Sequence, residues 1–193
     1  MSPLLKSFEQ VGASDISEIG QKNHGIATTR QNVQGQNASG IVTTSMAYWY
    51  FLDTAQLFDR LLFEQRNMSD RASVISTRCK EMILSAKIPY TLHKELLKGY
   101  KHLLFQQDSI SSEIELSGSI LHEQFPHLQF GALPEVYIKP DEPESVITGV
   151  KHLYASLFDE EILLEVKRLG YRHMDLSVSC RITTTFQLQM NAA

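Results

Sequence analysis

"VKHLYASLFDEEILLEVKRLGYRHMDLSVSCRI", residues 150–182, contains the change of period on which the fold turns. With Val146 just ahead of it, Val150, Leu153, Tyr154, Leu157 and Phe158 recur at helical spacing on one face. Ile162, Leu163, Val166 and Leu169 continue the apolar set. Gly170 then offers a stop, because glycine adopts the left-handed conformation that closes a helix without a Cβ clash. Beyond it, "DLSVSCRI" (175–182) has strand-like alternation and β-branched content. The expectation is one long packed helical region leading into a strand.

Working outward, helices dominate the first half. "SMAYWYFLDTAQLFDRLL" (45–62) reads as a buried helix capped by Ser45, followed by a second helical stretch. Residues 69–86 form another candidate, with Ser69 as cap and Asp70 in the first turn. In 89–105, Leu92, Leu96, Leu97, Tyr100, Leu103 and Leu104 share a face, and Pro89 suits a first turn. The Thr-, Gln-, Asn- and Gly-rich segment 27–44 reads as a loop. Strands are expected at 113–116, 135–138, 175–182 and 184–190. The order gives an α+β class: a helical N-terminal half and a small, mainly antiparallel sheet packed by a long helix. The chain is expected to be a single domain over 1–193, with a mainly helical part (1–110) and a strand-containing part (111–193).

Composition narrows the function. Of 193 residues, 42% are apolar and 21% charged, enough to bury a core. A net charge of −4 argues against nucleic acid as the partner. The N-terminus shows no signal-peptide pattern, and no apolar run reaches membrane-spanning length, so a cytoplasmic protein is expected. Cys79 and Cys180 lie far apart, form no CxxC and read as reduced, buried thiols. The "NAS" at 37–39 carries little weight without a secretory signal.

Motifs for autonomous chemistry do not emerge. The seven histidines form no HExxH or other ligand spacing, so no metal site is expected. There is no GxSxG, Walker loop or GxGxxG. The pair Glu160-Glu161 reads as the acidic first turn of a helix. The aromatic patch 46–51 reads as core. The alternative is a partner-binding surface through Tyr48, Trp49 and Phe51, implying a protein partner or a homo-oligomer.

Three stretches, in order, resemble the phosphoenolpyruvate synthase and pyruvate phosphate dikinase family. "VGASDISEIGQKNHGI" (11–26) is similar to the family's opening "x-D-x-x-x-V-G-G-K-N-A-S-L". "SGIVTTSMAYWYFL" (39–52) is similar to "P-x-G-F-x-T-T-x-A-[FY]-x-x-F-L". In 150–182, Ala155-Ser156-Leu157-Phe158, Gly170-Tyr171, His173 and Leu176-Ser177-Val178 match the family's helix-to-strand segment. The resemblance implies the first lobe of an ATP-grasp-like domain. Family members pass a phosphoryl group from ATP to a histidine on a swivelling domain, from which it reaches pyruvate.

Counted back from Val150, "IELSGSILHEQFPHLQFGALPE" (114–135) falls on the family's phosphate-binding stretch. Glu123, Pro126, Phe130 and Glu135 match it; the phosphate-binding Arg is replaced by Ser117 and its neighbouring Ser by Gly118, followed by Ser119. The family's "A-G-Q" turn becomes Gly131-Ala132-Leu133, with Pro134 next. The resemblance thus implies a degenerate phosphate loop at Ser117, Gly118 and Ser119. Lys22 matches the family's phosphate-contacting Lys, with a plain surface lysine as the alternative, and Gln21 stands where the family has a second glycine. Because hydroxyls cannot imitate the planar donor fork of Arg toward phosphate, phosphoryl transfer should suffer. The chain also ends soon after the matched strand, so the second lobe, with its metal-holding carboxylates, is expected to be missing. The expected function is a non-catalytic protein-binding, regulatory or assembly factor without a cofactor. The alternatives are one subunit of a split ATP-dependent phosphotransferase or a nucleotide sensor, both using Lys22 and Glu135, with ATP and magnesium involved only then.

Overall fold

The computed structural model describes residues 3–32, 40–66, 71–105, 113–122, 124–125 and 132–184. A five-stranded sheet runs in the order β1 (Leu5–Ser7), β2 (Gly40–Thr43), β5 (Leu176–Thr184), β3 (Ile114–His122) and β4 (Val136–Ile138). Every neighbouring pair is antiparallel. Its spine is the β3–β5 ladder, in register from Ile114 opposite Thr184 to His122 opposite Leu176.

Because alternate strand residues face opposite sides, β5 presents two different surfaces. Leu176, Val178, Cys180 and Ile182 join the main apolar core. Ser177, Ser179, Arg181 and Thr183 face the other way and are also buried. The core side is covered by α3 (Ser45–Thr54), α4 (Phe58–Arg66), α5 (Ala72–Ser85), α6 (Tyr90–Phe105), α7 (Ser145–Ser156) and α8 (Glu160–Arg168). On α6, Leu92, Leu96, Tyr100 and Leu103 are buried, while Leu97 and Leu104 pack at the margin.

The opposite side is covered by α1 (Ile16–Ile19) and α2 (Gln21–Asn32), over a small cluster of Phe8, Val11, Ile19, Ala27 and Val42. Gly20, between the two helices, has φ of +80°, and a Cβ there would stand 2.3 Å from Ser119 Oγ. Glycine is therefore required both for the backbone and for the close approach of helix to sheet. The Asn23 amide donates to the Ser179 carbonyl and hydroxyl, each at 3.0 Å. Lys6 bridges Asp15 (2.7 Å) and Glu18 (2.9 Å), tying β1 to α1.

Several sequence expectations are corrected. The 27–44 segment is not one loop: α2 continues to Asn32, and Gly40–Thr43 is a fully buried strand. Thr28 and Thr29 fit the helix because their hydroxyls bond back to the His24 and Gly25 carbonyls. The strand expected at 113–116 continues to His122, so Ser117–Ser119 lie within β3 and not in a loop. The expected long helix breaks into α7 and α8. Asp159 takes extended backbone (φ −60°, ψ 143°) as N-cap of α8, and its carboxylate pairs with Lys80. The freed Leu157 carbonyl accepts Nε2–H of His173 at 2.8 Å. At the end of α8, Gly170 has φ of +76°, its N–H bonds to the Lys167 carbonyl and Tyr171 N–H to that of Val166, the paired closure expected of a terminal glycine. Thr44, and not Ser45, is the cap of α3. Ser69, Asp70, Glu123, Pro126, Phe130, Gly131 and the strand expected beyond Thr184 lie outside the described residues.

Candidate functional site

The polar side of the β3–β5 ladder gathers the residues singled out by sequence. Ser117 lies directly opposite Arg181, Ser119 opposite Ser179, and Gly118 opposite Cys180 on the core side. Ser117 is fully buried and its hydroxyl has no hydrogen-bond partner among the described residues. Gly118 sits beneath Leu133, whose Cδ1 would be 2.5 Å from an added Cβ. The phosphate loop expected at 117–119 is thus an interior strand whose alternate residues serve two different faces.

A guanidinium does stand on this face, one strand away from position 117. Arg181 is 5% exposed, and its Nη2 donates to Glu115 Oε1 at 2.5 Å. Glu115 lies opposite Thr183, so the pair reaches diagonally across the ladder. Arg181 Nε and Nη1 have no hydrogen-bond partner among the described residues. From the covering helix, Arg30 comes near the same pair: burial, then the neighbouring Arg181 charge, lower its pKa, and the Glu115 carboxylate opposes this. Two guanidiniums and one carboxylate therefore share a face largely withdrawn from water. In such surroundings charges must pair closely to be tolerated.

Lys22 and Glu135 are not part of this cluster. Lys22 is exposed in the first turn of α2 and borders a shallow depression of about 440 Å³ with Gly25, Ile26, Thr29 and Arg30. Glu135 is exposed ahead of β4 and accepts the Tyr137 hydroxyl at 2.8 Å. The proposed partner surface is also corrected. Tyr48 and Phe51 are 1% and 0% exposed, packed against the Tyr154 ring at 5.1 and 5.6 Å. Ring-to-ring burial within the helical layer removes both from any surface, and only Trp49 remains at its margin.

The sequence reading missed Arg181, Arg30 and Glu115. A signal for the first and last was present in the alternation Ser177, Ser179, Arg181, Thr183 and Glu115, Ser117, Ser119, which marks a second, polar face on two buried strands. Both cysteines are buried and free, and burial pushes the Cys79 thiol up to about 12 and Cys180 higher still, so neither is a ready nucleophile. No group of three His, Cys, Asp or Glu side chains among the described residues could hold a metal ion. No helix among them is long and apolar enough to cross a membrane.

A family profile described as "Pyruvate phosphate dikinase, AMP/ATP-binding domain" matches residues 16–189. The phosphoenolpyruvate synthase of Escherichia coli K12 is 23% identical over 188 residues, covering 94% of this chain and 24% of that protein. The phosphoenolpyruvate synthase of Aquifex aeolicus is 23% identical over 197 residues, covering 98% of this chain and 23% of that protein. The rifampicin phosphotransferase of Bacillus cereus is 21% identical over 183 residues, covering 92% of this chain and 20% of that protein. The chain therefore spans about a quarter of the length of the first two of these relatives and a fifth of the third.

Proposed function

The chain belongs to the pyruvate phosphate dikinase AMP/ATP-binding domain family, and we propose that within it this chain acts as a binding, regulatory or assembly component that does not itself transfer phosphoryl groups. The observation that carries this reading is the state of the polar face. Position 117 offers a buried hydroxyl, and the guanidinium beside it is buried against Glu115. A triphosphate would have to displace that carboxylate or bind next to it. Phosphoryl transfer depends on donors already aimed at developing negative charge, and here the carboxylate holds the donor. The residues present do not fit a catalytic phosphate cradle. A protein partner or a second copy of the chain is the proposed binding target. A cytoplasmic setting suits the two free thiols.

Incubating the purified chain with ATP and magnesium and following ADP, AMP and phosphate release tests this. No turnover above the protein-free rate is expected. Turnover that Arg181→Gln abolishes would overturn it.

A second reading, nucleotide binding without chemistry, is favoured by the cations on this side of the fold: Arg181 and Arg30 at the sheet and Lys22 at the rim. Thermal-shift titration with ATP, ADP and AMP, with and without magnesium, separates the two. A saturable upward shift supports nucleotide binding, and no shift at millimolar ligand counts against it.

A further inference from the structure

β4 ends the sheet: it pairs with β3 on one side, and no described strand pairs with its other side. An edge strand presents backbone N–H and C=O groups to any extended chain that lies beside it. A short edge flanked by acidic residues would, taken alone, be ordinary protection against such pairing. The surroundings of β4 go beyond protection.

A groove of about 720 Å³ runs between β4 and α7. Val136 and Ile138 form its sheet side, and Pro143, Thr148, Gly149 and His152 its helix side. Because strand residues alternate, Val136 and Ile138 share the groove side, while Tyr137, 50% exposed, faces the other way. The helix lies close over the last two strands because Gly149 has no side chain. A Cβ there would stand 2.7 Å from Leu116 Cδ2 and 3.6 Å from Val136. An extended chain added to such an edge is held by main-chain bonds, and its alternate side chains settle into the groove.

Charge selects what that chain carries. On the groove side, Glu142 and Glu144 line the rim and are exposed, and Asp141 is exposed beside them. On the Tyr137 side, Glu135 accepts the ring hydroxyl at 2.8 Å. That bond raises the Tyr137 pKa, and the charges of Glu135, Glu115 and Glu113 add to the rise, which places three carboxylates by this ring. The opposing groups are Lys139 at the end of β4, His93 3.0 Å from Glu144, His152 in the groove, and Arg181, which is buried on Glu115. Carboxylates therefore outnumber fixed cations on both sides of the strand. Two copies of this edge brought together would set carboxylate against carboxylate, which is unfavourable. A basic chain meets the opposite field.

We propose that the free edge of β4 accepts an extended basic segment of a protein partner as a sixth strand. Small apolar side chains of that segment would enter the groove under α7, and its Lys or Arg side chains would meet Glu135 and Glu142. This names the chemistry of a partner without resting on the absence of catalysis: ATP turnover by the chain would leave it standing.

The probe is the fluorescein-labelled peptide Lys-Val-Lys-Val-Lys-Val-Lys, followed by anisotropy. The control is the same peptide methylated at every backbone nitrogen, which keeps the charge and removes the main-chain donors. Saturable binding of the first is expected, with at least about tenfold weaker binding of the control. Added salt should weaken the first peptide. Glu135→Gln/Glu142→Gln should weaken it, and Thr148→Trp, which fills the groove, should weaken it at least about tenfold. All three side chains are exposed, so circular dichroism and thermal melts should stay unchanged. The proposal is overturned if millimolar peptide shows no saturable binding. It is overturned as mere charge adhesion if the methylated peptide binds alike, and as a misplaced site if Thr148→Trp binds like the parent. It is also overturned if sedimentation shows a dimer that Thr148→Trp dissociates, because a second copy would then hold the groove.

Discussion

Ser117 and Arg181 face each other across the β3–β5 ladder, the first with a buried hydroxyl and the second with its guanidinium on Glu115. Directly opposed residues in such a ladder have Cβ atoms about 5 Å apart. The face where the family resemblance implies an arginine thus already holds one, on the neighbouring strand. Placing an arginine at 117 should therefore crowd the site with a second guanidinium. Ser117→Arg is expected to lose about 3 kcal/mol or more from overpacking and like charge. The transposed variant Ser117→Arg/Arg181→Ser should recover much of that loss. Urea midpoints of the single and double variants, analysed as a double-mutant cycle, check the coupling.

Glu115 should matter more for the charge it neutralises than for the bond it makes. Glu115→Gln leaves Arg181 buried without its counter-charge and is expected to cost about 2–3 kcal/mol, less than for a fully buried pair because Glu115 is partly exposed. Replacing both partners with apolar residues, as in Glu115→Leu/Arg181→Met, should cost less than removing Glu115 alone. Denaturant unfolding of the two variants side by side gives the comparison.

Burial, partly offset by the bond to Leu157, depresses the pKa of His173 to about 4, from an ordinary value near 6.5. The unfolded chain then binds the proton more readily than the folded one. The stability that comes from keeping this ring neutral is fully present above about pH 6.5 and is lost progressively as pH falls toward 4. A shift of this size corresponds to roughly 3 kcal/mol. Unfolding free energies measured across that window should decline for the parent and show a shallower decline for His173→Gln.

At Gly20 two requirements coincide, a positive φ and contact with Ser119. Gly20→Ala should cost about 2–3 kcal/mol, combining left-handed strain with the clash. Adding Ser119→Gly should relieve only the clash. Thermal melts of the single and double variants separate the two contributions.

The helices of the core side were legible because they are long enough to repeat their period: α6 buries four of the positions that the spacing marks. The strands β1 and β2 were not, since they span only three and four residues and owe their existence to pairing, not to pattern. The α7–α8 break was hidden because Leu157, Phe158, Ile162 and Leu163 remain buried on both sides of it. What makes the break tolerable is His173, distant in sequence, accepting the role of donor to Leu157. The polar face was half legible. Ser117 and Ser119 stood out, but Arg181 acquires its meaning only from the register that sets it against Ser117, and no local pattern encodes register between distant strands. The aromatic content of 46–51 was plain, whereas the burial of Tyr48 and Phe51 depends on Tyr154 in another helix.

The most direct measurement is positional isotope exchange in ATP labelled with heavy oxygen in the β–γ bridge, incubated with magnesium and the purified chain. It detects reversible phosphoryl transfer even when no product leaves. Retention of the label in the bridge, at the rate of the protein-free control, is expected from a face whose arginine is held by Glu115. Scrambling of the label that disappears in Arg181→Gln would contradict the non-catalytic reading.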